Sequence, residues 1–343
     1  MTPSPPDGPA ALPWLLVVNP TACSDRAAGR RADALAALAA SGLEVQLMET
    51  EPDGGTVDAV AHRLRTAEWA GVIAMGGDGT FHEVANALLR SERVLPFGLI
   101  PAGTGNNQAR SLGIPLDDLL AAARCIAGGR TAPLDGAWVR VWDDRGALAG
   151  EAWAFDSLSF GFSARALLFR FEDKAQVEQV PILRDLWRDE LVYAGAAARA
   201  LLGTYVDDHR FDAWVTTEQG SVHYQDLHDL ILNNTRAYAR AWVIDPTSRH
   251  DDGLFELLPI HGMDEWAEHA VVRLEGNALR DWLSIGPDPA IVRAARFDIE
   301  LYDRSAEPPI PAQVDGEPWL PVRRAHVEVR QGVLSGLGAR PAP

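Results

Sequence analysis

Short apolar runs alternate with amphipathic stretches through the first third of the chain. Leu15-Leu16-Val17-Val18 reads as a buried strand, and the Ala/Leu/Arg stretch from about Ala27 to Ala40 as a helix. Leu43 to Met48 alternates apolar and polar positions, a second strand ending near Thr50, with a helix following from about Thr56 to Ala67. Gly71 to Met75 is a third apolar run, and the apolar positions from Phe81 to Leu89 recur at helical spacing. Phe97-Gly98-Leu99-Ile100 makes a fourth strand. This rhythm predicts a doubly wound, three-layer α/β domain with a parallel sheet, which binds ligands at the carboxyl ends of its strands. Asn19, Thr50, Asp78 and Thr104 all fall at such ends.

The pattern changes from about Leu134. Ala137 to Trp142, Phe211 to Thr216 and Phe297 to Leu301 alternate residue by residue, which predicts antiparallel strands and a β-rich sandwich domain. A helical segment from Ile182 to about Leu202 interrupts it, with Leu183, Leu186, Trp187, Leu191 and Ala194 on one face. The expected organisation is an α/β domain over 14–133 and a β-rich domain over 134–337. The Pro-rich residues 1–13 and the tail 338–343 are expected to be disordered. No internal repeat is present.

Charge and rare residues narrow the chemistry. A formal net charge of -17 over 343 residues argues against nucleic acid as a partner and disfavours simple electrostatic adhesion to an anionic membrane. Lys174 is the only lysine, so no Gly-rich turn carries the Walker-type lysine. Phosphate handling must then rest on backbone N–H groups, arginines, hydroxyls or a metal. Cys23 and Cys125 are the only cysteines and cannot build a thiol-only zinc site. The opening residues lack the basic character of a secretory leader, and Leu12 to Val18 is too short to span a bilayer, so a cytoplasmic location is expected.

The candidate chemistry centres on Gly76-Gly77-Asp78-Gly79-Thr80, between the third strand and the following helix. Glycines there let backbone N–H groups approach a ligand, and the helix N-terminus favours negative charge. Asp78 in such a turn would repel a bare phosphate, and suits a metal ion, a water or a donor hydroxyl. Gly103-Thr104-Gly105-Asn106-Asn107 reads as a second wall of the same pocket. Neither turn fits the dinucleotide fingerprint, because Gln108 stands where its third glycine belongs.

Together these residues resemble the diacylglycerol kinase catalytic domain, shared by bacterial soluble lipid kinases and by sphingosine and ceramide kinases. NAD kinases and phosphofructokinases are more distantly similar. The resemblance rests on five ordered features: Asn19-Pro20-Thr21 with Thr50 beyond it, Gly76 to Thr80 with Glu83 three residues on, Gly103-Thr104 with Asn106, His250 to Phe255, and Val314-Asp315-Gly316-Glu317. It implies an ATP-dependent kinase acting on the hydroxyl of diacylglycerol or a related lipid. ATP would lie along Asn19, Thr21, Thr50, Gly76, Gly77, Asp78, Gly79, Thr80, Glu83 and Thr104, its magnesium held through Asp78. By the same resemblance the acceptor sits in the cleft between the domains. Glu317 would take the hydroxyl proton, with Asp315 organising the site or a magnesium-bound water. Asp252, with the carbonyls of Arg249 and Leu254, would bind a structural cation such as magnesium or calcium. Transient contact with the inner membrane surface is implied, and a homodimer is left open.

Alternatives exist at several points. Asp-Gly is also the commonest hairpin signal, so Asp315-Gly316 could be a solvated turn. Phe160, Phe162, Phe169, Phe171 and Trp187 could line an acyl slot or simply fill the core. The sequence departs from the family where Asn107 and Gln108 stand in place of an Asp-Phe pair, where Tyr238 to Trp242 replaces a Gly-rich segment, and at Phe155-Asp156, where an Asn is common. Ala22-Cys23 replaces a Ser-Gly pair. Most of these lie outside the nucleotide turn, so ATP binding is expected to persist while the acceptor is open to change. An NAD kinase, or a non-catalytic nucleotide-binding protein of the same fold, is the alternative.

Overall fold

The computed structural model describes residues 12–20, 27–51, 54–103, 105–169, 210–238, 242–262, 265–266, 290–303, 310–319 and 322–338. The chain divides into two compact units, Met1–Ala132 with Leu334–Pro343, and Pro133–Val333. The segments expected to be disordered, apart from residues 12, 13 and 338, and the helix expected over 182–202 lie outside the described residues.

Unit 1 alternates strand and helix: β1 (Trp14–Val18), α1 (Ala27–Ala40), β2 (Val45–Glu49), α2 (Thr56–Thr66), β3 (Gly71–Gly76), α3 (Asp78–Arg90), β4 (Pro96–Pro101), α4 (Asn107–Ser111) and α5 (Leu119–Ala127). The strands order β2-β1-β3-β4 and every pair is parallel. All six residues of β3 are buried, which requires cover on both sheet faces and explains its unbroken apolar run. The helices pack in two pairs, α1 with α5 and α2 with α3. Asp118 caps α5 by accepting the Ala121 N–H at 2.9 Å.

Unit 2 is built from antiparallel strands: β5 (Thr131–Trp142), β6 (Leu148–Ala154), β7 (Ser157–Gly161), β8 (Phe211–Thr217), β9 (Gly220–Leu227), β10 (Asp229–Asn233), the short β11 (Ala237–Tyr238) and β12 (Trp242–Val243), β13 (Phe255–Ile260), β14 (Val292–Ala294), β15 (Arg296–Asp303), β16 (Ala312–Val314), β17 (Glu317–Trp319) and β18 (Arg324–Leu337). One sheet runs β6-β5-β18-β15-β8-β9 and the other β14-β13-β10-β7-β16-β17. A single buried cluster draws Val139, Phe211, Phe297 and Val327 from the first and Phe160, Leu230, Phe255 and Val314 from the second. The unit is therefore a β-sandwich, and the chain is an α/β domain followed by a β-rich one, as the alternation of the sequence predicts.

One boundary differs from that reading. Ser335 and Gly336, near the end of β18, pair in parallel with Pro96 and Phe97, so residues 334–338 group with unit 1. Backbone pairing to β4 fixes them there, a long-range contact that leaves no mark on the local pattern.

Candidate active site

In unit 1 the carboxyl ends of the strands carry the expected residues. Asn19 follows β1 and donates its N–H to the Met75 carbonyl at 3.1 Å, while Thr50 follows β2 and donates to Val18 at 2.9 Å. Gly76 ends β3, Gly77 precedes α3, and Asp78, Gly79 and Thr80 form its first turn. The helix thus starts three residues earlier than the apolar spacing from Phe81 indicates. No side chain caps this start, and its first closing bond runs from the Phe81 N–H to the Gly77 carbonyl at 3.0 Å. The leading N–H groups of α3 have no intrahelical acceptor, the arrangement that suits an anion.

The glycines have a sharper reason than ligand approach. A Cβ on Gly103 would overlap the Gly77 Cα, and one on Gly77 would stand 3.1 Å from the Gly103 Cα. The two Gly-rich turns touch backbone to backbone. A Cβ on Gly76 would overlap the Thr80 side chain. Thr80 is 3% exposed, and its hydroxyl is buried with no partner among the described residues.

The second turn is shaped by Asn106, in the left-handed region at φ 55. Its side chain bonds Gly103 twice, accepting the Gly103 N–H at 3.0 Å and donating to the Gly103 carbonyl at 2.7 Å. Beyond it the Gln108 N–H donates to Asp78 Oδ1 at 3.3 Å, so the second turn orients the acid of the first. Arg30 of α1 donates to the carbonyls of Pro101 at 2.9 Å and Leu116 at 3.2 Å, bracing the end of β4. Glu83 lies one turn into α3. Thr21, Cys23 and Thr104 lie outside the described residues.

In unit 2, Asp315-Gly316 is the two-residue loop of the β16–β17 hairpin, with φ of 49 and 84, both left-handed. The hairpin is real, but its acid is not solvated. Asp315 is 7% exposed and its carboxylate accepts the N–H groups of Phe155 at 2.9 Å, Asp156 at 2.8 Å and Ser157 at 3.0 Å. Those bonds occupy three of a carboxylate's roughly four acceptor positions. Glu317, the first residue of β17, is exposed. The 155–157 turn is held on its other side by Asn234 and Thr235: Asn234 Nδ2 donates to the Phe155 carbonyl at 2.9 Å and Thr235 Oγ1 to Asp156 Oδ1 at 2.8 Å. Phe155-Asp156 is thus the clamp for Asp315. Phe160 and Phe162 are buried, Phe162 edge-on to Trp266, whereas Phe171 and Trp187 lie outside the described residues.

The 249–254 loop is internally bonded. Arg249 forks onto Asp251 at 2.8 and 3.1 Å, which holds the Asp251 carboxyl below its usual range. Asp252 Oδ1 accepts the Leu254 N–H at 3.1 Å, and Gly253 takes φ 79. Asp135, which the sequence reading missed, ties this loop down: its carboxylate accepts the N–H groups of Gly253 at 2.6 Å and Gly332 at 2.7 Å. Burial pushes its carboxyl up, those two bonds pull it down, and nearby Asp252 and Asp251 push it further up, for a net rise. An acid on the inward face of β5, in phase with Ala137, Val139 and Val141, was the available signal. Among the described residues no group of three or more His, Cys, Asp or Glu side chains could hold a metal ion. A cation here would therefore rely on Asp252 with backbone carbonyls, a hard-oxygen set that fits magnesium or calcium.

Residues 13–139 match the family model of the diacylglycerol kinase catalytic domain. A diacylglycerol kinase of Bacillus subtilis (strain 168) is 35% identical over 120 residues, which span 35% of this chain and 39% of that protein. A Pseudomonas aeruginosa (strain UCBPP-PA14) protein named "Probable lipid kinase YegS-like" is 27% identical over 307 residues, 88% of this chain and 87% of its own. The crystal structure of a diacylglycerol kinase from Bacillus anthracis str. Sterne superposes with a TM-score of 0.67 at 19% identity, covering 95% of this chain and 97% of that one; it shares the fold. Through residues 13–139, the chain is similar to the diacylglycerol kinase catalytic domain.

Proposed function

We propose that the chain is an ATP-dependent lipid kinase that phosphorylates a hydroxyl of diacylglycerol or a related lipid. The observation that carries this reading is the pair of Gly-rich turns in backbone contact, with the uncapped start of α3 and Asp78 held by the Gln108 N–H, inside the segment that matches the family model. Such a turn presents N–H donors to phosphate oxygens, and phosphoryl transfer is mainly positioning and charge neutralisation. Asn19, Thr50, Thr80 and Glu83 complete the nucleotide side, with Thr21 and Thr104 carried over from the sequence.

Magnesium, held through Asp78, would neutralise charge on the transferring phosphoryl group. Glu317 takes the proton of the acceptor hydroxyl as its oxygen bonds the γ-phosphorus and the β–γ bridging bond breaks, releasing ADP. Asp315 holds the hairpin that presents Glu317. Asp252, with the Arg249 and Leu254 carbonyls, would hold a second, structural cation within a loop anchored by Asp135. No described helix is long and apolar enough to cross a membrane. The lipid is therefore proposed to be met at the membrane surface in transient contact.

The direct test incubates the purified chain with ATP, magnesium and a total lipid extract, and follows lipid masses. A phosphate gain on a glycerolipid that disappears with Glu317→Gln is expected. Absence of any lipid phosphate gain, with ATP still stabilising the protein against heat, would sink the kinase reading and leave a nucleotide-binding protein.

A further inference from the structure

The outer face of the first sheet of unit 2 holds a recess that the kinase chemistry does not use. It has a volume of about 680 Å³, within the range of small-molecule sites, and is lined from β5, β8, β15 and β18. Along each strand the odd-even alternation that sends Val139, Phe297 and Val327 into the core turns Arg140, Trp142, Tyr302, Arg324 and His326 outward into this recess.

Its charges are unevenly matched. The two acids are already engaged: Asp298 accepts from Arg296 at 3.0 Å and bonds His326 at 2.6 Å, and Glu300 accepts the Tyr302 hydroxyl at 2.6 Å. Burial pushes the Asp298 carboxyl up, but His326 and Arg296 outweigh it and the net shift is downward, so the acid stays ionised within its own pairings. Arg140 and Arg324 make no ion pair with a described residue. Both lie against the Trp142 ring, their guanidinium carbons 5.8 and 4.2 Å from its centroid. The Nε of Arg140 is buried with no acceptor among the described residues. A protein of net charge -17 thus keeps two guanidiniums over one indole, in one recess, with no ion-pair partner among the described residues.

Stacking on an aromatic face leaves the edges of a guanidinium free to bond, and those edges match oxyanions in a fork. A carboxylate offers two oxygens and one charge, which a single arginine fork matches. A phosphomonoester has three terminal oxygens and close to two charges, enough for two arginines and for the orphaned Nε. Trp142 and Trp214, the latter 45% exposed and stacked on His223 at 4.5 Å, add flat apolar surface beside them.

We propose that this recess binds a phosphomonoester with an apolar organic part, its phosphate oxygens taken by Arg140 and Arg324. The ligand is either a soluble organic phosphate or the headgroup of a phosphorylated lipid. The test uses the full chain and follows thermal stability and tryptophan fluorescence during titration with inorganic phosphate, glycerol 3-phosphate and short-chain phosphatidate. Stabilisation by at least one phosphomonoester is expected. Arg140→Gln and Arg324→Gln should each weaken it roughly 10- to 100-fold, as loss of a charge-assisted hydrogen bond does. Arg324→Lys, which keeps the charge but loses the fork and the stack, should not restore it. Glycerol 3-phosphate binding as tightly as phosphatidate identifies a soluble ligand; binding of phosphatidate alone identifies a lipid. The proposal is overturned if neither glycerol 3-phosphate nor phosphatidate stabilises the protein. It is equally overturned if wild type and both Gln variants respond alike, which would place the phosphate elsewhere. Lipid phosphorylation by the two Gln variants, measured without added phosphomonoester, should match wild type.

Discussion

Gly103 and Gly77 leave no room for a methyl group between their turns. Gly103→Ala must therefore push the two backbones apart, an overpacking expected to cost about 1–3 kcal/mol and to remove stabilisation by ATP. Thermal melts with and without nucleotide would show both effects. Thr80→Val tests the buried hydroxyl from the opposite side. That hydroxyl has no partner among the described residues, so folding stability should hold while nucleotide binding weakens, and calorimetric titration would separate the two. Asp315 and Glu317 should part in the same way. Asp315→Asn disturbs the clamp on three N–H groups and is expected to destabilise by about 2–3 kcal/mol, with faster hydrogen exchange at residues 155–157. Glu317→Gln should abolish transfer, read from the lipid masses.

Among elements, the contact between the β3–α3 turn and the β4–α4 turn sets the candidate nucleotide site, and α1 supports it from behind. Arg30→Ala would remove the donor that joins the Pro101 and Leu116 carbonyls. The expected loss is about 1–2 kcal/mol in stability, with a smaller ATP-induced rise in melting temperature, read from paired melts. The β16–β17 hairpin shows how far local pattern reaches. Asp-Gly between short apolar runs specifies a turn with two left-handed residues, and such a turn forms here. Nothing local indicates that its acid folds inward onto residues 155–157, about 160 positions earlier. The same holds for Asp135, whose partners Gly253 and Gly332 lie far along the chain.

At the scale of the whole molecule, buried acids make stability depend on pH. Glu256 is 0% exposed, and burial pushes its carboxyl up to about 8. The Ser248 hydroxyl and Arg293 pull against that shift, while Asp245 and Asp252 add to it. Burial also pushes Asp229 up to about 7, against the bonds from Ser163. A carboxyl raised in the folded state binds its proton more tightly there than in the unfolded chain. Its contribution is therefore complete below the unfolded value and is lost as pH rises towards the folded one. Stability should fall between about pH 4 and 8, by up to about 1.4 kcal/mol per pH unit for each group across its own window. Glu256→Gln should flatten the upper part of that profile in melts taken from pH 5 to 9. A profile that rises over this range would contradict the assignment.

Local pattern alone carries the alternation of strand and helix, the switch to antiparallel strands near residue 134, and the Gly-rich turns at the strand ends. Each is written in local periodicity and local backbone need, which a chain expresses without its distant parts. Folding in three dimensions settles which glycines touch, that Gln108 orients Asp78, that Asp315 is a buried clamp, and that Arg140 and Arg324 share one indole. Those outcomes are contacts between residues tens to hundreds of positions apart. Their energies depend on burial and on the partner found, and neither is encoded where the residue stands.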